Sequence, residues 1–212
     1  MIRRALLTLG FVVVAAVPAM AQVLGLPVVN NGAPTGLTVG ADVGLPNADY
    51  GSGTAIGARA ALGLGFFGVS AAVSHYTPKG GDGVWSQGAS ATLRLLGGPL
   101  VPFRITLQGG FGTWKTTVVT PGGIGSNRVT HIPISLGLSG TIPNPAFAIK
   151  PWIAPRVDVM RVGGGGDARF GISGGVDVAL LSGIAIRAAY DRRSEEQGVN
   201  PGIFSLGLGF AP

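Results

Sequence analysis

Gly36-Leu37-Thr38-Val39-Gly40-Ala41-Asp42-Val43-Gly44-Leu45 carries an apolar side chain at every second position, with Gly, Thr or Asp between them. Successive side chains of a strand point to opposite faces, so this stretch makes one aliphatic face and one small or polar face. No helical stripe of comparable length occurs in the chain. The segment 60–78 has no charged side chain, and a hydropathy window flags it as a membrane-crossing helix. Gly63, Gly65 and Gly68 interrupt it, Ser70, Ser74, His75 and Tyr76 leave it half apolar, and its outer parts alternate. It reads as strand.

Extending the same reading gives ten strands, at 36–45, 54–63, 66–76, 84–96, 101–114, 129–141, 146–160, 168–180, 184–191 and 202–210. The connectors alternate in length. Those at 64–65, 97–100, 142–145 and 181–183 are tight; those at 46–53, 77–83, 115–128, 161–167 and 192–201 are longer and rich in Gly, Asp, Asn, Ser or Pro. Short turns at one end and longer loops at the other predict an all-β fold, a closed antiparallel transmembrane β-barrel with its termini in the periplasm. Pro133, Pro151 and Pro155 lie inside the sixth and seventh strands, where a missing N–H calls for bulges or partial breaks. Loss of that hairpin would leave eight strands instead of ten.

Composition agrees. The 212 residues are 46% hydrophobic and 11% charged, with 38 Gly, 15 Pro and no Cys. So apolar a chain is not disordered, and it is neither collagen nor a disulfide scaffold. Residues 1–21 have the layout of a signal peptide: Arg3 and Arg4, an apolar run over 5–17, and Ala19-Met20-Ala21 before Gln22. Cleavage after Ala21 leaves an N-terminal extension, 22–35, and a barrel domain, 36–212. The extension barely alternates, and either hangs in the periplasm or folds into the lumen. Losing Arg3 and Arg4 reduces the formal charge of +6 by two. The remaining charge is scattered, which excludes a nucleic-acid partner.

Aromatic and charged residues test the strand phases independently. Phe67, Phe103, Phe147 and Phe210 share the apolar parity near the short turns, and Trp85, Phe111, Phe170, Tyr190 and Phe204 share it near the long loops. Two membrane girdles follow. The opposite parity is mostly Gly, Ala, Ser and Thr, and holds Asp42, Arg59, Arg94, Arg104, Lys150, Arg156, Asp158, Arg169, Asp177, Arg187 and Asp191. An Arg or Lys facing lipid at mid-membrane costs about 2–4 kcal/mol, so these charges are assigned to the lumen. Residues equidistant from a turn face one another. This predicts acid–Arg pairs Asp177–Arg187, Asp158–Arg169 and Asp42–Arg59. Arg94, Arg104, Lys150 and Arg156 are left without an obvious partner, which makes the periplasmic half of the lumen positive unless Asp191 or mobile ions balance it.

Local motifs add little chemistry. Gly63-Leu64-Gly65-Phe66-Phe67-Gly68 fits G-x-G-x-x-G but lacks the helix and acid of a dinucleotide site. Gly171-Ile172-Ser173-Gly174-Gly175 fits G-x-S-x-G, yet no His follows residue 131. His75 and His131 are distant in sequence, with no acidic cluster beside them, so no metal, cofactor or catalytic residue is assigned.

The leader, the alternation across 36–210 and the final strand Phe204-Ser205-Leu206-Gly207-Leu208-Gly209-Phe210 resemble the small outer-membrane β-barrel proteins of Gram-negative bacteria, the group of the OmpA, OmpX and OmpW types. The resemblance implies residence in the outer membrane, contact with its lipid, and recognition of the last strand by the barrel-insertion machinery. Ala211 and Pro212 after Phe210 depart from that group, whose last strand ends in its aromatic residue. The expected function is a structural envelope component or a narrow passive pore whose mildly basic lumen favours small anionic solutes. Two alternatives stand beside it: an interaction or adhesion protein acting through loops 115–128 and 192–201, and a lipid A- or peptide-cleaving barrel enzyme.

Overall fold

The computed structural model describes residues 23–32, 35–97, 101–120, 123–162, 165–180, 182–194 and 198–211. The expected signal peptide lies outside them. Ten long strands follow one another: β1 (Gly36–Pro46), β2 (Thr54–Leu64), β3 (Phe67–Thr77), β4 (Val84–Leu96), β5 (Phe103–Thr120), β6 (Gly123–Gly140), β8 (Phe147–Val162), β9 (Gly165–Leu180), β10 (Ile184–Arg193) and β11 (Gly202–Phe210). A two-residue strand, β7 (Ile142–Pro143), folds back on the start of β8 within the β6–β8 connector. Each long strand pairs antiparallel with its neighbour in sequence, and β1 pairs with β11 from Val39↔Phe210 to Pro46↔Ile203. The ring is closed with ten long strands, not eight. Segment 60–78 is the β2–β3 hairpin, and no helix among the described residues is long and apolar enough to cross a membrane.

Alternation explains why these residues pair as they do. A one-residue slip would turn every lipid-facing side chain into the lumen. The prolines interrupt the ladder without shifting it. Pairing of β5 with β6 lapses between Gly109↔Ile134 and Gly112↔His131, beside Pro133, then resumes in the same register. The β6–β8 ladder lapses beside Pro155 and also resumes. No bulge forms there; the register shift falls on β4, between Arg94 and Leu96.

Two expected loops are strand. The ladder of β5 and β6 runs to Val119↔Ile124 and Thr120↔Gly123, so most of 115–128 is a continuous two-stranded ribbon. Thr116, Thr117, Val118 and Val119 favour strand, and the hairpin uses them. Likewise β8 and β9 pair to Val162↔Gly165, which leaves little of the loop expected at 161–167. The β1–β2 loop contains a 3-10 turn, Ala48–Tyr50, capped by Asn47.

Burial is inverted relative to a soluble protein. Ile56, Leu208 and Trp85 on the outer wall are 62%, 60% and 70% exposed, whereas Ser74, Asp158, His131 and Ser205 inside are almost fully enclosed. Ten strands about 4.8 Å apart, tilted about 40°, give a backbone radius of roughly 10 Å. With Gly, Ala and Ser inside, that bore admits one extended peptide. Residues 23–32 of the same chain occupy it.

Candidate functional site: the occupied lumen

The N-terminal segment enters the barrel near the long-loop end and descends to β1 at the short-turn end. At the top, the Leu24 amide donates to Ser86 Oγ at 2.7 Å, and Ser74 Oγ donates to the Leu24 carbonyl at 2.8 Å. Gly25 has φ +77°, and a Cβ there would lie 2.6 Å from that of Ala55, so glycine suits both the conformation and the space. Lower down, the Val28 amide donates to Asp191 Oδ2 at 3.0 Å, and Gln108 Nε2 donates to the Val29 carbonyl at 3.2 Å. Asn30 is held on both sides: its Nδ2 donates to Ser135 Oγ at 3.0 Å, and its Oδ1 accepts from Thr106 Oγ1 at 2.8 Å. Asn31 Nδ2 reaches Asp177 Oδ2 at 2.5 Å.

These contacts add to bonds that the wall groups already make with one another, such as Ser74 with Ser86 and Ser135 with Gln108, so the segment joins a polar network lining the lumen. Both small apolar clusters of the interior are also made against the segment. Val23 and Leu26 pack with Ala55 and Tyr76, and Val29 packs with Trp152, Ala154 and Ala189. Of the two placements open for the extension, the structure shows the lumen for 23–32.

Beside Val28 lies a charge network. Arg156 Nε donates to both oxygens of Asp158 at 2.9 Å, and Arg156 Nη2 donates to Asp191 Oδ1 at 2.8 Å. His131 Nε2 lies 2.8 Å from Asp158 Oδ1, and Arg193 Nε lies 3.6 Å from Asp158 Oδ2. Arg193 also sits over the Tyr50 ring, 5.7 Å from its centroid. Buried charges persist when paired and hydrogen-bonded, and here two carboxylates share two guanidiniums.

Sequence spacing leaves Arg156 partnerless, and the structure corrects this, because the two-residue separation of Arg156 and Asp158 puts both on the inner face of β8. Asp158 and Arg169 are register partners as expected, but the ion pairs of Asp158 are with Arg156, His131 and Arg193, while Arg169 pairs with Asp167. Asp177 and Arg187 are register partners and bond at 2.5 Å. Asp42 and Arg59 form an ion pair although their register partners are Gly57 and Gly40, so the guanidinium reaches diagonally. Asp191 sits in the network with Arg156 rather than free.

Arg94, Arg104 and Lys150 are inward and half-buried near the short-turn end, and none makes an ion pair among the described residues. Lys150 stands opposite Asp177, whose carboxylate is taken by Arg187 and Asn31. Alongside the segment a cavity of about 440 Å³ is lined by Arg59, Arg104, Lys150 and Arg187 against Asp42 and Asp177. Its charge balance is positive.

Phe67, Trp85, Phe103, Phe170, Tyr190, Phe204 and Phe210 are exposed on the outer wall, and Phe111 and Phe147 are half-buried there. His75 is also outward, its ring tilted 47° against that of Trp85 with centroids 4.8 Å apart. Sequence reasoning missed the large inward side chains Tyr76, Trp114 and Trp152, and the roles of His131 and Arg193. Parity alone marks Trp114, which follows Arg104, Thr106 and Gln108 on one face of β5.

No protein-family model and no curated protein matches the sequence. Among solved structures, the β-domain of the Bordetella autotransporter Brka superposes with a TM-score of 0.58 at 13% identity, over 84% of this chain and 100% of that one. The translocator domain of the autotransporter NalP from Neisseria meningitidis is more distant, with a TM-score of 0.45 at 12% identity over 84% and 89%. The N-terminal barrel of Pseudomonas aeruginosa OprF gives 0.40 at 15% identity over 82% and 95%. With its lipid-facing aliphatic wall and enclosed polar interior, the chain has the fold of the outer-membrane β-barrels of Gram-negative bacteria.

Proposed function

We propose that the protein is a non-enzymatic outer-membrane barrel held shut by its own N-terminal segment: a structural envelope component at rest, and a narrow passage for small anions once residues 23–32 leave the lumen. The observation that carries this is the set of hydrogen bonds between the barrel interior and Leu24, Gly25, Val28, Val29, Asn30 and Asn31. Arg104 and Lys150, without carboxylate partners among the described residues, would set the preference for anions. Catalysis is disfavoured because His131 is fully enclosed, with Asp158 on Nε2 and Nδ1 without a hydrogen bond. A general base needs one ring nitrogen within reach of substrate.

Planar bilayers test the proposal. The intact barrel is expected to be silent, deletion of 23–32 to give small anion-preferring steps, and addition of Arg104→Ala and Lys150→Ala to remove the preference. Steady conductance of the intact protein, or silence of the folded deletion variant, would overturn it.

A second reading, surface interaction, draws on the β5–β6 ribbon, and loss of cell-surface binding on trimming 115–128 would favour it. For assembly, β11 with outward Phe204, Leu206, Leu208 and Phe210 is the segment we assign to the insertion machinery.

A further inference from the structure

The outer wall is almost free of charge, and its exceptions are clustered. Among the described strand residues, the outward-facing ionised side chains are Lys115 on β5, Arg128 on β6, Arg161 on β8 and Arg192 on β10. Arg192 bonds to Asn200. Lys115, Arg128 and Arg161 are exposed on three successive long strands and make no ion pair among the described residues. Lys115 is the direct register partner of Arg128, and Arg161 stands opposite Thr130, one outward position from Arg128. Like charges directly across a ladder repel, and the diagonal neighbour adds a third cation within about 8 Å. An anion seated among the three would relieve that repulsion.

Its height identifies the anion. Lys115 is four residues above the outward Phe111, Arg128 four above Ile132, and Arg161 four above Val157. Four residues span about 13 Å of strand, or about 10 Å along the membrane normal at a tilt near 40°. On β5 Phe111 marks the hydrocarbon boundary, and Trp85, which the Ser86↔Trp114 register sets beside Lys115, belongs to the interfacial layer, so the triad lies at the height of the headgroups. A shallow outward depression beside it is lined by Trp85, Gln87, Thr113, Lys115 and Arg128, with Asp82 on its rim. We infer that Lys115, Arg128 and Arg161 form a site for the phosphate groups of a phosphorylated lipid in the outer leaflet, with Trp85 against the lipid body. This site is independent of whether the lumen conducts.

The test uses the full barrel in non-ionic detergent, with bisphosphorylated lipid A and its dephosphorylated form as probes and native mass spectrometry as readout. Wild type is expected to retain the phosphorylated lipid selectively, less so as salt rises. Lys115→Gln/Arg128→Gln/Arg161→Gln should weaken retention about tenfold or more, Arg128→Gln alone should give a partial loss, and Lys79→Gln/Arg192→Gln should behave as wild type. Heat-modifiable gel mobility checks that each variant is folded. Equal retention of the dephosphorylated lipid, or wild-type retention by the folded triple variant, would overturn the inference. Displacement by millimolar inorganic phosphate would assign the cations to a soluble anion and overturn it as well.

Discussion

Gly44→Ala is a one-carbon change that should open the lumen without altering the wall. A Cβ on Gly44 would lie 2.0 Å from the Gly25 carbonyl oxygen and 2.9 Å from Leu26 Cδ2, and its three nearest atoms all belong to the N-terminal segment. An ordinary carbon–oxygen contact is about 3.2 Å, so the segment must retreat by about 1.2 Å. That displacement carries both Leu24 hydrogen bonds, at 2.7 and 2.8 Å, beyond the bonding range. Two bonds at about 1 kcal/mol each, with part of the Leu26 burial, give about 3 kcal/mol against the occupied state. The occupied-to-vacant ratio should therefore fall roughly a hundredfold. With no native Cys, Val28→Cys supplies a unique buried reporter. Its rate of maleimide labelling measures how often the segment leaves. Gly44→Ala should raise that rate roughly a hundredfold, whereas Gly109→Ala, with nothing within 4 Å, should leave it unchanged. Unchanged labelling in folded Gly44→Ala would refute the packing of 23–32 against β1.

Two further outcomes follow from the wall. Asp158→Asn removes the carboxylate shared by Arg156 and His131 and should cost about 3 kcal/mol in urea unfolding of the refolded barrel, since one buried guanidinium is left with Asp191 alone. Leu206→Arg puts a cation on the lipid face of β11, where Leu206 is 52% exposed, and should lower folding free energy into lipid vesicles by about 2–4 kcal/mol, measured by denaturant titration.

The class of fold is legible in the sequence because lipid imposes a period of two on every strand. Leu37, Val39, Val43 and Leu45 declare the outer wall, and Asp42 declares the inner one. Loop lengths are less legible. The ribbon over 115–128 rises beyond the apolar band, where lipid no longer demands alternation, and in the bare sequence the turn formers Pro121 and Gly122 outweigh the neighbouring Thr and Val.

Pairing across hairpins is legible for Asp177 and Arg187, which face each other directly, and misleading for Asp158. His131 comes from the adjacent strand β6 but two positions from the direct partner of Asp158, and Arg193 comes from β10, which does not pair with β8. The lumen segment leaves a faint trace: a Cβ on inward Gly44, Gly57 or Gly137 would lie 2.0 Å from Gly25, 2.5 Å from Leu26 or 2.6 Å from Asn30 respectively. In sequence, glycine on the inner face signals tight curvature. At these three positions it is clearance for residues 23–32, while Gly40, Gly171 and Gly207 make room for Arg59, Arg156 and Asp42.

The seam between β1 and β11 has a consequence for biogenesis. The cylinder is sealed only when the earliest and latest strands meet, so until then the sheet is an open trough with Ser74, Ser86, Thr106 and Ser135 facing an unfilled channel. Residues 23–32 are tethered to β1 throughout and can lie in that trough from the start. They would then act as a mandrel around which the sheet curls, and a chain lacking them would have to wrap around water.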